Sequence, residues 1–265
     1  MSTYHSKKAK EFLKDPKKVE RHDRTFWSLR QKRDAAAAEL PEWEDLREHA
    51  SRIKEHTATH LADYLEQFSN SLERNGVIVH FAKDAQEFNE MVYGILESHK
   101  VKKLVKSKSM LTEECEMNPY LIKRGINVVE SDLGERILQL MHLKPAHIVM
   151  PAIHLTRDEI GEMFEEKGIS KEKGNHDPTY LTRCAREDLR GDFMDADAGL
   201  TGCNFGVAAT GDCVVCTNEG NADMSTSVPK LHIVAMGIEK VIPDYDALAV
   251  FQRLLARSGT GQPAT

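Results

Sequence analysis

The chain is predicted to be an α/β protein, with a mainly parallel sheet flanked by helices, an N-terminal helical arm and a C-terminal antiparallel hairpin region. Three observations predict it. Four short apolar runs, each followed by a helical run, succeed one another between residues 77 and 167, the pattern of βα units. Before them lies a long amphipathic helix with a continuous apolar seam. After residue 170 the strands come closer together and the pattern turns to hairpins.

In chain order, residues 23–39 read as helix, ending in Ala35–Ala38 before Pro41. Glu42 to about Glu73 reads as one long helix, with Trp43, Leu46, Ala50, Ile53, Thr57, His60 and Tyr64 recurring at steps of three and four. Asn75-Gly76 stops it, glycine being suited to the position past a helix end. Strands are expected at Val77–His80, Lys103–Lys106, Ile126–Glu130 and Ala146–Met150. The helices after them are expected at Ala85–His99, Glu113–Lys123, Leu133–Met141 and Asp158–Lys167. Asp177-Pro178 opens a further helix to about Met194, as an N-cap and first-turn proline. Gly206–Thr210 and Cys213–Thr217 then flank Gly211-Asp212 as a hairpin. Leu231–Met236 and Val241-Ile242 complete the strands, and Asp244 opens a last helix through Arg257. The tail SGTGQPAT reads as loop and as a cut rather than a natural end. The domain division expected is 1–74 for the basic arm and long helix, 75–258 for the α/β body, and 259–265 for the start of a linker. There is no internal repeat and no low-complexity block.

At 265 residues, 40% apolar and 29% charged, the chain has the size and balance of a soluble protein that buries a core without staples. Its net charge of −6 argues against general nucleic-acid binding. Residues 1–40 carry 11 Lys/Arg against 6 Asp/Glu, a basic arm on an acidic body. Lys7, Lys8 and Lys10 are followed by no apolar stretch of signal-peptide type, and no run approaches a membrane span. Five cysteines without a secretory signal point to reduced thiols in the cytoplasm.

The richest stretch for chemistry is Thr217-Asn218-Glu219-Gly220-Asn221-Ala222-Asp223, read as following a central strand. Gly220 permits close backbone approach, Asn218, Asn221 and Asp223 can bond bound polar groups, and Glu219 can act as base or nucleophile. An Asx-rich turn is the structural alternative. Thr201, Gly202 and Asn204 are placed as a facing wall. Lys106-Ser107-Lys108-Ser109 lies between a strand and a helix, where two lysines, two hydroxyls and a helix N-terminus can hold a carboxylate or phosphate. Solvated lysines with a capping hydroxyl account for the same loop. Asp132 and Glu135 have capping-box spacing, and Arg136 beside them can pair with a substrate carboxylate. His154 is a candidate acid or base beyond the fourth expected strand, or a hydrogen-bonded structural histidine. Cys213 and Cys216 read as structural thiols, because side chains at i and i+3 of one strand face opposite sides. His56 and His60 have zinc spacing without a metalloprotease glutamate, so His60 reads as a packed histidine.

The segments KSKSMLTEE, DLGERI, HIVMPAIH, TGCNFGVAATG, TNEGNAD, GIEKVIP and RLLARSGTGQP together resemble the LUD-domain family, over nearly the whole chain. The resemblance implies a fold like that of the ribose-phosphate isomerase, glucosamine-phosphate deaminase and CoA-transferase group. It implies a cytoplasmic part in oxidising L-lactate to pyruvate, within a complex with two partner subunits. It further implies [4Fe–4S] clusters in a ferredoxin-like part beyond residue 265, and none in this chain. No metal site is expected here. A flavin or nicotinamide is left open, since no dinucleotide fingerprint occurs. Two alternatives stand beside this: CoA-transferase-like acyl chemistry at Glu219, and a non-catalytic assembly domain.

Overall fold

The structure is a computed structural model that describes residues 2–147 and 149–263, without the side chains of residues 2–5 and 8. The chain divides into two compact units, one of residues 1–51 and 249–265, the other of residues 52–248.

In the first unit, α1 (Ser2–Phe12) is followed by α2 (Pro16–Ala38), which starts earlier than the apolar pattern predicts. Asp15 caps it, accepting from the Lys17 and Lys18 N–H groups at 3.1 and 3.2 Å, and Pro16 sits in the first turn, where its missing N–H costs nothing. The boundary between the units falls inside α3 (Trp43–Thr59) and inside α12 (Tyr245–Thr260). Arg253 of α12 pairs with Glu42, and the Arg257 Nε donates to the Ala36 carbonyl at 3.3 Å. Ser258–Thr260 are therefore helical rather than loop. The helix stops at Gly261, in the left-handed region at φ 74°, whose N–H returns to the Ala256 carbonyl. Ala264 and Thr265 of the expected loop lie outside the described residues.

The second unit carries the sheet. It begins with α4 (Leu61–Arg74) and α5 (Ala85–Ser98). Next come β1 (Lys103–Lys106), α6 (Met110–Glu114), α7 (Met117–Ile122), β2 (Asn127–Glu130) and α8 (Leu133–Met141). Then follow α9 (Arg157–Glu166), α10 (Pro178–Met194), β3 (Ala198–Gly202), β4 (Phe205–Val207) and β5 (Asp212–Val214). The unit closes with α11 (Asn221–Ser227), β6 (Leu231–Ala235), a 3-10 turn and β7 (Val241–Ile242).

Four strands form an all-parallel sheet in the order β2-β1-β3-β6. Period-2 alternation sends Leu104 and Val128 into a core with Leu96, Met117 and Leu121 on one face. It sends Val105 and Val129 onto Leu189 and Phe193 of α10 on the other. Both faces are covered, as parallel sheets require. A second sheet, β5-β4-β7, holds the antiparallel hairpin β4–β5.

Several expected elements are corrected. Residues 77–80 form no regular element and pair with no described strand, and Ile78 and Phe81 stay exposed. Alternating apolar residues favour a strand only where a ladder neighbour is available. Residues 146, 147, 149 and 150 of the expected fourth strand are irregular, held by the Ala146 N–H on the Pro151 carbonyl; Ile148 lies outside the described residues. The expected Glu113–Lys123 helix is split, because Glu116 takes a left-handed conformation at φ 51° between α6 and α7. The long helix breaks at His60, which is exposed rather than packed. The hairpin loop is Ala208–Gly211, with Val207 opposite Asp212.

The central strand β3 was not expected, since Ala198-Gly199-Leu200-Thr201-Gly202 has one large apolar side chain. Its small residues serve packing. A Cβ on Gly199 would lie 1.8 Å from the Ser225 carbonyl oxygen, so α11 rests directly on the strand backbone. Gly199→Ala is expected to cost about 1–3 kcal/mol in urea unfolding; a loss below about 0.5 kcal/mol would contradict this close packing.

No helix among the described residues is long and apolar enough to cross a membrane.

Candidate functional site at the strand ends

From β1 the chain passes to β2 on one side, and later enters β3 on the other side of β1. The strand order thus reverses between β1 and β3, and such a reversal opens a crevice at the carboxyl ends of the strands. The residues there are Lys106–Ser109 after β1, Glu130–Asp132 after β2 and Thr201–Asn204 after β3. The ends of β1 and β3 approach closely: a Cβ on Gly202 would lie 3.3 Å from the Ser109 side chain and 3.4 Å from the Lys108 carbonyl.

Parallel register sets Lys106 beside Glu130, each the last residue of its strand. Lys106 is fully buried, and its Nζ donates to Glu130 at 2.7 Å and Glu113 at 2.9 Å. Burial by itself lowers the pKa of an ammonium, but the two carboxylates outweigh it and the net shift is upward. Asn118 also donates to Glu130 Oε1, while Glu130 Oε2 is buried and has no hydrogen-bond partner. Lys106 is therefore a buried cation already held by two carboxylates.

Lys108, two residues on, is partly exposed, its side chain 22% accessible. Its Nζ donates to the Val149 carbonyl at 3.1 Å and stands 4.0 Å from Glu135 Oε1. Glu135 occupies the first turn of α8, whose N-cap Asp132 accepts the Glu135 N–H at 3.1 Å. It is buried, and burial, then Glu130, then Glu113 push its pKa up to about 7, against the pull of Lys106 and Lys108. Its expected capping role thus covers its backbone alone; the carboxyl belongs to the buried charge cluster.

The Thr217–Asp223 turn follows β5, an edge strand of the smaller sheet, and not a central strand. It still reaches the strand ends. Glu219 Oε2 accepts the Leu133 N–H at 3.3 Å. Partial burial of that carboxyl, with Asp132 nearby, raises its pKa, opposed by the Leu133 N–H and Lys108. Asn221 donates to Ser131 Oγ at 3.4 Å and accepts from Thr217 Oγ1 at 3.3 Å. Gly220 takes φ 73° to cap α11, while Asn218 and Asp223 are exposed.

The other expected residues are placed as follows. Ser107 donates its N–H to the Leu200 carbonyl, and Ser109 caps α6 by accepting the Thr112 N–H. Arg136 is committed to Asp188 at 3.1 Å, Asp192 at 3.5 Å and Gln139 at 3.0 Å, because α8 turns it toward α10 rather than the crevice. Thr201 is buried, its Oγ1 2.9 Å from His232 Nε2, and burial lowers the His232 pKa. Asn204 is drawn into the hairpin, where its Oδ1 accepts the Cys216 N–H, so it forms no facing wall. His154 sits half-buried in the turn at residues 151–154. His56 Nε2 bonds the Tyr64 hydroxyl at 3.1 Å. Sequence reasoning missed Glu130, Asn118, Ser131 and His232 as members of the candidate site. A charged residue ending an apolar strand, Glu130 after Asn127-Val128-Val129, was the available signal.

The comparisons with known proteins bear on this site. Residues 65–265, which include all of these strand ends, match the LUD domain. The chain belongs to the LUD-domain family. Relatives of this LUD-domain chain are named "Lactate utilization protein B": one from Bacillus pumilus is 47% identical over 238 residues, covering 89% of this chain and 50% of the relative. One from Exiguobacterium sp. is 45% identical over 237 residues, and one from Shouchella clausii 44% over 239, each with the same coverage. The LUD-domain chain spans about half the length of the curated relatives it matches. No solved structure matches it. A [4Fe–4S] cluster needs four thiolates together. Among the described residues no group of three or more His, Cys, Asp or Glu side chains is arranged to hold a metal, so the residues present do not fit a cluster.

Proposed function

We propose that this LUD domain serves lactate utilisation by binding a small 2-hydroxy or 2-keto carboxylate at the strand ends of its parallel sheet. The observation that carries the reading is the convergence of Lys108, Glu219 and Asn221 at the carboxyl ends of β1 and β2, beside the reversal point of the strand order. Lys108 supplies the charge for a carboxylate. Glu219, with its raised proton affinity, is suited to take the hydroxyl proton of lactate. Oxidation of lactate to pyruvate releases two electrons and two protons. In this reading iron–sulfur clusters held by a part of the protein other than this chain would supply the electron transfer, within a cytoplasmic complex with two partner subunits. The names of the relatives support the role in lactate utilisation, and this chain spans about half of their length.

The test is lactate-dependent dye reduction by the complex rebuilt from full-length protein and its partner subunits, comparing wild type with Glu219→Gln. Turnover is expected to fall roughly tenfold or more while the complex stays assembled. Unchanged turnover would remove Glu219 from the chemistry, and a complex without any lactate-dependent reduction would overturn the reading.

A further inference from the structure

Lys108 is not surrounded by open solvent. Glu135 stands 4.0 Å from its Nζ, and behind Glu135 lies a buried set with more carboxylates than cations. Lys106 and Lys108 face Glu135 from β1 and the turn after it, Glu113 from α6 and Glu130 from β2; the loop after α8 meets Lys108 through the Val149 carbonyl. Three carboxylates thus share two ammonium groups, and Lys108 also faces Glu219 from the turn after β5. Lys106 is already divided between Glu113 and Glu130. The second oxygen of Glu130, in a residue 3% exposed, lacks any donor. Like charges crowded in a dry site hold a proton among them rather than ionise together.

We infer that the carboxylate ligand and the Glu135 carboxylate compete for Lys108, so that the ligand binds together with one proton taken up by Glu135. With Glu135 ionised, Lys108 is engaged by an internal anion and the ligand's carboxylate enters a site of surplus negative charge. With Glu135 protonated, its carboxyl is neutral, the Lys108 charge is available, and the unpartnered Glu130 oxygen faces a cluster that contains a donor. Arrival of a second anion beside Lys108 raises the proton affinity of Glu135 further, and this is the linkage. No bond other than O–H forms or breaks: a proton from solvent joins a Glu135 oxygen as the ligand docks.

This inference rests on the carboxylate-binding reading above, and one experiment separates the two. L-lactate and pyruvate are titrated calorimetrically into the 265-residue chain at pH 6 and pH 8, in buffers of different ionisation enthalpy. Wild type is expected to bind about tenfold more weakly at pH 8 than at pH 6 and to take up close to one proton per ligand at pH 8. Glu135→Gln, an uncharged stand-in for the protonated acid, is expected to bind at pH 8 as wild type does at pH 6, with no proton uptake. Lys108→Met is expected to lose binding at both values. Binding without proton uptake, or uptake that survives in Glu135→Gln, overturns the inference and leaves the carboxylate site standing. Absence of binding to wild type at both values overturns both. The wild-type proton count decides the matter even if a variant fails to fold.

Discussion

Replacing Lys106 by methionine is expected to destabilise the fold by about 3–5 kcal/mol, the largest effect of a single conservative-volume change at this site. The substitution removes the ammonium that Glu130 and Glu113 share at 2.7 and 2.9 Å. It leaves Glu130 buried with one oxygen already unpartnered and the other held only by Asn118. Repacking cannot satisfy these oxygens, because the position is enclosed by β1, β2 and α6. Urea unfolding at pH 7 measures the loss. The double variant Lys106→Met, Glu130→Leu removes both charges and is expected to recover most of it, since a buried pair is weak evidence for stability while a broken pair is costly. A single-variant loss below about 1 kcal/mol would show that water reaches this cluster.

The second large effect is on pH dependence. Glu135 has a folded pKa of about 7, against an ordinary value of 4.5. Below pH 4.5 both folded and unfolded states hold the proton, and this residue's contribution is fully present. Between pH 4.5 and 7 the folded state keeps a proton that the unfolded state has released, so stability falls as pH rises. Above about pH 7 both states are ionised and the loss levels off. The full loss is roughly 3 kcal/mol, at about 1.4 kcal/mol for each pH unit. Glu135→Gln is expected to abolish this slope, so the difference in stability between the variant and wild type should move in favour of the variant from pH 5 to pH 8. Parallel curves for the two proteins would place the titration on another group.

How much of this was legible in the sequence can be judged element by element. Lys103–Lys106, Leu133–Met141 and Pro178–Met194 were read with their observed bounds. In each the local signal and the tertiary demand agree: an apolar run ending in charge, an Asp132 cap, an Asp177-Pro178 start. Val77–His80 failed for the opposite reason, since its strand signal is strong and its ladder neighbour is missing. Ala198–Gly202 failed because close approach of α11 selects small residues, and small residues carry no hydrophobic pattern. At the site, the turn holding Glu219 and Asn221 was readable from its cluster of polar residues around Gly220. The roles of Lys106 and Lys108 were not, because two lysines separated by one serine are equivalent in sequence.

The sequence by itself determined the α/β class, the family, most helix boundaries through their caps, and the region where polar side chains gather. Only the tertiary structure decided which charge is buried and which is open. Parallel register set Lys106 against Glu130, and the first turn of α8 set Glu135 against Lys108. Those pairings join residues more than 20 positions apart, so neither spacing nor propensity encodes them. Their energies depend on exclusion of water, which exists only once the sheet and its helices have closed around them.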